Sequence, residues 1–331
     1  MLHQVEMVTL EELVPKNHIY RKFKELWNLN DVKKELKKIE LQNPTEYVGC
    51  GIFRLFLCLL IQFMEDLSDR ELEEYLRSNL VSKWFCGFGL VEKTPKNSLF
   101  SKVRKRIGTK RLSKIFNILR DQLKSQGYMN EVFTFIDASH LISKANLWEE
   151  RDKAIKEKYD KLNNKILPKV SKDKQAKIGC KGNNKFWYGY KKHASVDMQS
   201  GMINKVAVTP ANTIDSKGMK HVTPNQGAVY ADKGYCDKNA KKAVAKRNLH
   251  LAAIKKNNMK DKDLDRWYSK IRAPYERVFS KTNHRVRYKG IEKNQFTAFM
   301  ESIVHNLKRL VMLNEIYPPP VNSILSRDYC V

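Results

Sequence analysis

The sequence predicts an α/β protein in which an all-helical region precedes a sheet flanked by helices. From residue 18 to about 122, apolar residues recur at three- and four-residue spacing, which is typical of packed amphipathic helices. After Gly127 the pattern changes to short apolar runs rich in β-branched and aromatic residues, with helical stretches among and after them. At roughly 150 residues per domain, the 331 residues are enough for two domains, each with its own core.

The composition indicates a folded protein with a strong positive charge. Hydrophobic residues make up 42% of the chain, and 63 Lys and Arg against 36 Asp and Glu give a net charge of +27. A surface of that charge attracts polyanions whatever the fold, so we expect a nucleic-acid partner.

Several features argue against membrane insertion and export. The most apolar run, residues 51–63, is shorter than the roughly 20 residues that a membrane span needs and is interrupted by Arg54. The first residues lack the basic start and apolar stretch of an export signal. The six cysteines are widely spaced with no CxxC pair. We therefore expect a reduced, cytoplasmic protein with no membrane partner.

Local signals place elements in both halves of the chain. Ser68 and Glu71 have the spacing of a capping box and predict a helix start, and the basic residues between 102 and 114 form one face of a helix pair. That face is either a solvated surface or a phosphate-contacting one. The predicted strands span 132–136, 186–190, 202–208, 227–231 and 250–254, and the second and third form an antiparallel hairpin. The later predicted helices span 237–247, 271–280 and 296–313.

Three segments follow from these patterns. Residues 1–122 form a helical domain, residues 123–316 form a second domain with a charged insertion at about 145–180, and residues 317–331 form a tail. Within the insertion, a helical stretch is expected around 148–162, broken near Pro168.

Three carboxylates stand where chemistry is expected. Asp137 ends the run FTFID, Asp232 ends the run AVYAD, and Glu276 lies four residues after Arg272, on the same side of a helix if that segment is helical. Three converging carboxylates suit two divalent ions, and hard oxygen ligands select Mg²⁺ or Mn²⁺. Each acid also has a structural alternative: Asp137 could cap a helix or close a turn, Asp232 could be a turn residue, and Glu276 could favour a helix start after Pro274.

Four phrases occur in a fixed order, FIDASH, FWYGYKKHASVD, VYADKGY and RAPYERVFSK. Over roughly residues 20–315 the chain thereby resembles the DDE transposases of bacterial insertion sequences, which have an RNase H-like catalytic core. The resemblance implies an RNase H-like mixed sheet, with Asp137, Asp232 and Glu276 as catalytic residues and ligands of two Mg²⁺ or Mn²⁺ ions.

The same resemblance implies a function and partners. A transposase of this kind binds the terminal inverted repeats of its element, cleaves the strands hydrolytically and joins the freed 3′-OH ends to target DNA. A homodimer in a synaptic complex is the simplest expectation, with residues 1–122 recognising ends and dimerising, and the protein associated with the nucleoid. Two alternatives stay open: a metal-dependent nuclease of the same fold without strand transfer, and a domesticated DNA-binding protein without activity.

Basic residues near the three acids are the expected contacts to DNA. For His193 a buried structural role is the alternative. The expected set is Lys191, Lys192, His193, Lys233, Arg272, Lys281 and Arg285.

Overall fold

The structure, a computed structural model, describes residues 7–42, 50–143, 156, 163–181, 185–255, 261–280 and 284–316. The chain divides into two compact units, one made of the residues up to 121 together with those from 303 onward, the other of residues 122–302. The predicted helix around 148–162 lies outside the described residues except for Lys156, and the predicted tail lies wholly outside them. No helix in the described ranges combines the length and hydropathy needed to cross a membrane.

The first unit is helical. Its helices are α1 (Leu10–Leu13), α2 (Ile19–Leu26), α3 (Asn30–Gln42), α4 (Ile52–Met64), α5 (Asp69–Ser78), α6 (Leu80–Cys86), most of α7 (Asn97–Ser125) and the end of α12 (Ile291–Ile316). The apolar helix α4 lies in the core, with all its residues buried except Phe53 and Arg54. The predicted capping box is confirmed: the Ser68 side chain accepts from the backbone N–H of Glu71, whose carboxylate accepts from the backbone N–H of Ser68.

The second unit contains the sheet. Its strands are β1 (Phe133–Ile142), β2 (Lys177–Lys181), β3 (Lys185–Asp197), β4 (Ile203–Pro210), β5 (Ala228–Ala231) and β6 (His250–Ala253). Its helices are α8 (Leu167–Val170), α9 (Asp215–Val222), α10 (Lys238–Ala245), α11 (Lys262–Ser280) and the first part of α12. Helix α8 and strand β2 belong to the segment expected as an insertion.

The sheet is mixed, in the order β2-β3-β1-β5-β6, with β4 also paired to β3. Strands β1 and β3 are antiparallel, as are β3 and β4, whereas β1, β5 and β6 are mutually parallel. The predicted hairpin is therefore confirmed. The predicted RNase H-like mixed sheet, which follows a helical region in the sequence, is confirmed as well.

Helices cover both faces of the sheet. Ile136 and Val229 pack with Met219 of α9 and Val244 of α10 on one face. Successive strand residues point to opposite faces, and the neighbouring Phe135 contacts Phe279 of α11 on the other. The sheet therefore lies between two layers of helices.

Strand β1 is longer than its sequence predicts. We expected it to end at Asp137, but residues 137–142 continue along β3, from Asp137 opposite Ala194 to Ile142 opposite Gly189. Strand β5 does stop where expected, at Ala231. The correction has a physical reason: β3 supplies hydrogen-bonding partners to β1 past the point where the apolar run ends.

Candidate active site

The register of β1 and β5 brings the first two acids to one place. Ile136 pairs with Ala231 in the parallel ladder, and Asp137 and Asp232 are the residues that follow this pair. Neighbouring strands of a sheet lie about 4.8 Å apart, so the two aspartates start from adjacent backbone positions. Both side chains are oriented by their own backbone. The N–H of Ala138 donates to Oδ1 of Asp137 at 2.7 Å, and the N–H of Lys233 donates to Oδ1 of Asp232 at 2.7 Å.

Helix α11 carries the third acid across the same face of the sheet. Phe279 packs edge-on against Phe135 with ring centroids 5.6 Å apart, and Tyr268 packs against Tyr230 at 5.7 Å. Phe135 precedes Asp137 by two residues and shares its face of the sheet. Glu276 lies one helical turn before Phe279, which directs it toward the end of the sheet where the two aspartates stand.

Helix α11 is also longer than predicted, beginning at Lys262 and not near residue 271. Pro274 therefore lies inside the helix. The alternative in which Glu276 merely favours a helix start after Pro274 is wrong, because twelve residues of helix precede that proline. The side chain of Glu276 is half exposed and faces the candidate site.

Arg272 links the second and third acids. Its Nη1 lies 3.1 Å from Oε1 of Glu276, and its Nη2 lies 3.9 Å from Oδ1 of Asp232. The Nε atom of the same guanidinium is buried and has no hydrogen-bond partner within the described ranges. One cation thus offsets the repulsion between two carboxylates from distant parts of the chain.

The three acids line one pocket of about 520 Å³. The pocket also receives Asp215 from the first turn of α9 and Tyr235 from the short 3₁₀ turn at Lys233–Tyr235. Lys191 lies at its margin, with Nζ 2.7 Å from Oδ1 of Asp215. Asp137 and Asp232 lie 95 positions apart in the sequence and Asp232 and Glu276 lie 44 apart, yet all three are neighbours in the fold.

Burial and neighbouring charge act on Asp137. Burial raises its pKa to about 6, and the charges of Asp232 and Asp215 push the pKa in the same direction, against the hydrogen bond from Ala138 and the charge of Lys181. A divalent cation would relieve this repulsion between carboxylates. The donor set, carboxylate oxygens with a tyrosine hydroxyl beside them, suits a hard ion such as Mg²⁺ or Mn²⁺.

The carboxylates do not yet form a coordination shell. Among the residues that the structure describes, no three His, Cys, Asp or Glu side chains are grouped closely enough to hold a metal ion. Asp137, Asp232 and Glu276 therefore share a pocket, and shifts of their side chains are required before they could share an ion.

Sequence reasoning missed two residues of the pocket. Asp215 begins a helix, where an acid is commonplace because it favours the helix dipole, so the sequence offers no signal for it. Tyr235 stands in the phrase VYADKGY and could have been singled out there. Its side chain is 1% exposed and lines the pocket, and its hydroxyl has no hydrogen-bond partner among the residues that the structure describes.

The residues expected to contact DNA differ in how exposed they are. Lys233 and Arg285 are exposed, Arg272 is partly buried between the acids, and Lys281 lies outside the described residues. Lys191 is 9% exposed and donates to Asp215 and to the backbone oxygen of Thr213. Its ammonium therefore faces the pocket and not the open surface.

Two of the expected contacts are buried in the sheet. Lys192 is 2% exposed and pairs with Glu301 at 2.8 Å. His193 is fully buried, hydrogen-bonded through Nε2 to Thr209 at 2.8 Å and packed against Gly218. Burial lowers the pKa of His193 to about 4, so the ring is neutral near pH 7. Neither side chain is available to DNA at the surface, because β3 is an interior strand covered by helices on both faces.

Comparison with known proteins identifies both halves of the chain. Residues 8–106 match the family model of a transposase domain (DUF772), and residues 152–307 match the model of a transposase DDE domain. Asp232 and Glu276 fall within the second match, and Asp137 lies between the two. No curated protein sequence matches the chain significantly.

One solved structure aligns weakly. It is the Mos1 transposase paired-end complex with left transposon end, which aligns over 76% of this chain and 76% of its own at 7% identity and a TM-score of 0.20. The two family matches together cover most of the sequence, one on the helical unit and one on strands β2 to β6 with Asp232 and Glu276. The chain belongs to the DDE transposases.

Proposed function

We propose that this transposase binds the terminal inverted repeats of an insertion sequence, cleaves the strands hydrolytically and transfers the 3′-OH ends to target DNA. The observation that carries the proposal is the shared pocket of Asp137, Asp232 and Glu276, inside a chain whose net charge is +27. An acidic pocket in a strongly basic protein suits phosphodiester chemistry, since the surface attracts the polyanion and the acids require cations.

The catalytic roles follow from the chemistry of the residues. Asp137, Asp232 and Glu276 would hold two Mg²⁺ or Mn²⁺ ions. When bound, such ions activate the attacking water or 3′-OH and stabilise the departing oxygen. The backbone N–H groups of Ala138 and Lys233 each occupy one oxygen of an aspartate, which fixes the orientation of both carboxylates before any ligand arrives.

Basic and polar residues at the pocket would complete the site. Arg272 holds Asp232 and Glu276 in proximity, and exposed Lys233 is available to a phosphate of the bound strand. Burial and the charges of three aspartates hold the pKa of Tyr235 well above its usual value, so its hydroxyl stays protonated and acts toward an anion as a donor.

Two DNA ends must be held together for transposition, so we propose a homodimer acting on the nucleoid in the cytoplasm. The DNA that flanks the gene supplies the substrate, because short inverted repeats outside the reading frame would be the ends that the protein recognises.

The test is a strand-transfer assay on labelled oligonucleotides that carry those ends, with Mg²⁺ and a target plasmid. We expect nicked and joined products from the wild type. Asp137→Asn and Glu276→Gln should abolish both products while leaving salt-sensitive DNA binding nearly intact. Asp263→Asn is the matched control, since Asp263 lies on the same helix as Glu276 with a side chain 96% exposed.

The outcomes separate the rival functions. Cleavage without joined product would indicate a metal-dependent nuclease, and DNA binding without cleavage would indicate a domesticated binding protein. Loss of binding together with cleavage in Asp137→Asn would assign a structural role to that residue.

A further inference from the structure

The helical unit contains a basic groove far along the sequence from the three acids. We call it the α3–α7 groove. It measures about 420 Å³, and the residues that line it are Ile39, Gln42, Arg106, Ile107, Lys110, Arg111 and Lys114. Four of these seven residues are cationic, and none of the seven is acidic.

A break in α7 shapes the groove. Gly108 interrupts the helix with φ 62° and ψ 168°, a conformation that is accessible essentially to glycine alone. The break places Arg106 before the kink and Lys110 after it, on the same groove. The second segment of α7 therefore begins with Lys110, Arg111 and Lys114 in its first two turns.

Cations at that place are unfavourable in the isolated protein. The start of a helix carries a partial positive charge and favours anions. Helix α5 follows that preference, with Asp69 and Glu71 in its first turn. The second segment of α7 instead carries the cations Lys110 and Arg111 in its first turn, and an anion bound from outside the protein would make that arrangement favourable.

One buried carboxylate partly balances the cluster. Glu35 of α3 is 7% exposed and lies 2.6 Å from Nζ of Lys38, 3.6 Å from Nε of Arg111 and 3.8 Å from Nζ of Lys114. The hydrogen bond from Lys38 holds the pKa of Glu35 below its usual value, so this carboxylate is charged at neutral pH. Lys110 lines the same groove, so among the described residues that line it or contact Glu35 the positive charges outnumber this one negative charge.

We propose that the α3–α7 groove binds the phosphate backbone of duplex DNA without reading its sequence. The inference rests on the proposed function, in which the protein handles DNA, and it assigns a DNA-binding surface to the helical unit. Lys110 and Lys114 are exposed and one turn apart, so they project from one side of the helix about 6 Å apart along its axis. That spacing suits a chain of phosphates better than a single small anion, and Ile39 and Ile107 offer an apolar floor to the sugars.

The test compares two variants with the same loss of charge. Lys110→Gln/Lys114→Gln removes two exposed lysines of the groove, and Lys238→Gln/Lys241→Gln removes two exposed lysines of α10. Binding of a labelled duplex of arbitrary sequence is measured by fluorescence anisotropy between about 50 and 200 mM salt. Circular dichroism and thermal melting verify that both variants are folded.

We expect the groove variant to bind several-fold more weakly at each salt concentration. The slope of log K against log salt should fall by about 1.8, because each phosphate contact contributes about 0.9. The α10 variant should keep a slope close to that of the wild type. Equal weakening of both variants would overturn the proposal, since it would show that only net charge matters.

Three further outcomes are distinct. Wild-type binding that depends steeply on salt, with the groove variant unchanged, would overturn the groove and leave the proposed function intact. Absence of DNA binding in the wild type would overturn both. If the groove variant loses affinity for vesicles of phosphatidylserine and phosphatidylcholine while its duplex binding is unchanged, the groove belongs to lipid headgroups and the proposal fails.

Discussion

Asp137 and Asp232 each lie one residue beyond Ile136 and Ala231, the last pair in the parallel ladder of β1 and β5. Strand β5 ends there, while β1 continues along β3. Beyond Ala231 no residue of β5 lies beside β1, and the pocket opens at that position next to Asp137. The acids are close because of strand register, and not because of their separation along the sequence.

The first prediction concerns stability and pH. Burial raises the pKa of Asp137 to about 6, above the value of about 3.9 in an unfolded chain, so the folded protein retains a proton that the unfolded chain has released. The free energy of unfolding should therefore decrease as pH rises from about 4 to above 6. Asp137→Asn keeps an acceptor for the N–H of Ala138 and should be more stable than the wild type at pH 8, by about 1 to 2 kcal/mol.

Urea unfolding at several pH values measures this difference. Asp263→Asn, whose residue is almost fully exposed, should follow the wild type at every pH. If Asp137→Asn is less stable than the wild type at pH 8, burial and the charges of Asp232 and Asp215 do not destabilise the Asp137 carboxylate, and the prediction is wrong.

The second prediction separates function from stability at Tyr235. Its hydroxyl is buried and has no hydrogen-bond partner in the described part of the chain, so we expect Tyr235→Phe to remove no hydrogen bond and to leave the free energy of unfolding unchanged or slightly raised. Cleavage should fall by about tenfold or more, equivalent to about 1.4 kcal/mol, if the hydroxyl positions a group in the pocket.

Tyr190 is the matched comparison. Its hydroxyl donates to Oδ1 of Asp173 at 2.7 Å in the interior, so Tyr190→Phe should lower stability by about 1 to 3 kcal/mol. If the Tyr235→Phe protein cleaves at the wild-type rate, the Tyr235 hydroxyl has no role in cleavage and the prediction is wrong.

The third prediction tests the link made by Arg272. Arg272→Gln leaves Asp232 and Glu276 without the cation between them, and we expect a large loss of cleavage with little change in DNA affinity, because the side chain is only 17% exposed. Arg272→Lys keeps the charge but loses the two-pronged geometry of the guanidinium. Its cleavage rate should lie between those of the wild type and Arg272→Gln.

Cleavage rates and duplex affinities are compared with those of Arg266→Gln. Arg266 lies on the same helix, is 72% exposed and is 4.0 Å from Asp263. Indistinguishable rates for Arg272→Gln and Arg266→Gln would show that the link is not required.

The fourth prediction concerns the kink in α7. Gly108→Ala forces a side chain into a glycine-only conformation and should lower the free energy of unfolding by about 1 to 3 kcal/mol. Gly89→Ala is the control, because a Cβ there makes only ordinary contacts, the nearest at 3.7 Å from Cβ of Glu92. Urea unfolding checks both, and equal stability of the two variants would contradict the strained backbone at Gly108.

Local signals predicted much of the fold. The short strand-like runs at 186–190 and 202–208 predicted the hairpin of β3 and β4, and the capping box at Ser68 predicted the start of α5. Strand β5 and the acid that follows it were predicted because the strand is short, apolar and bounded by turn residues.

Long-range packing decided what the sequence could not predict. The second half of β1 is a strand because β3 pairs with it, and Lys192 and His193 are buried because β3 is covered on both faces. Charged residues in a strand ordinarily indicate an exposed face, but Glu301 from α12 provides a partner for Lys192 inside the protein. Asp215 was missed because its signal is that of an ordinary helix start.

The central claim is that Asp137, Asp232 and Glu276 converge on shared divalent ions. The most direct measurement is an anomalous difference map from crystals of the full-length protein soaked in Mn²⁺, with crystals of Asp232→Asn as the control. We predict density in the pocket, bound by oxygens of all three carboxylates at about 2 Å and absent or weaker in the variant. Strong Mn²⁺ density elsewhere in the protein, with none at these carboxylates, would contradict the account.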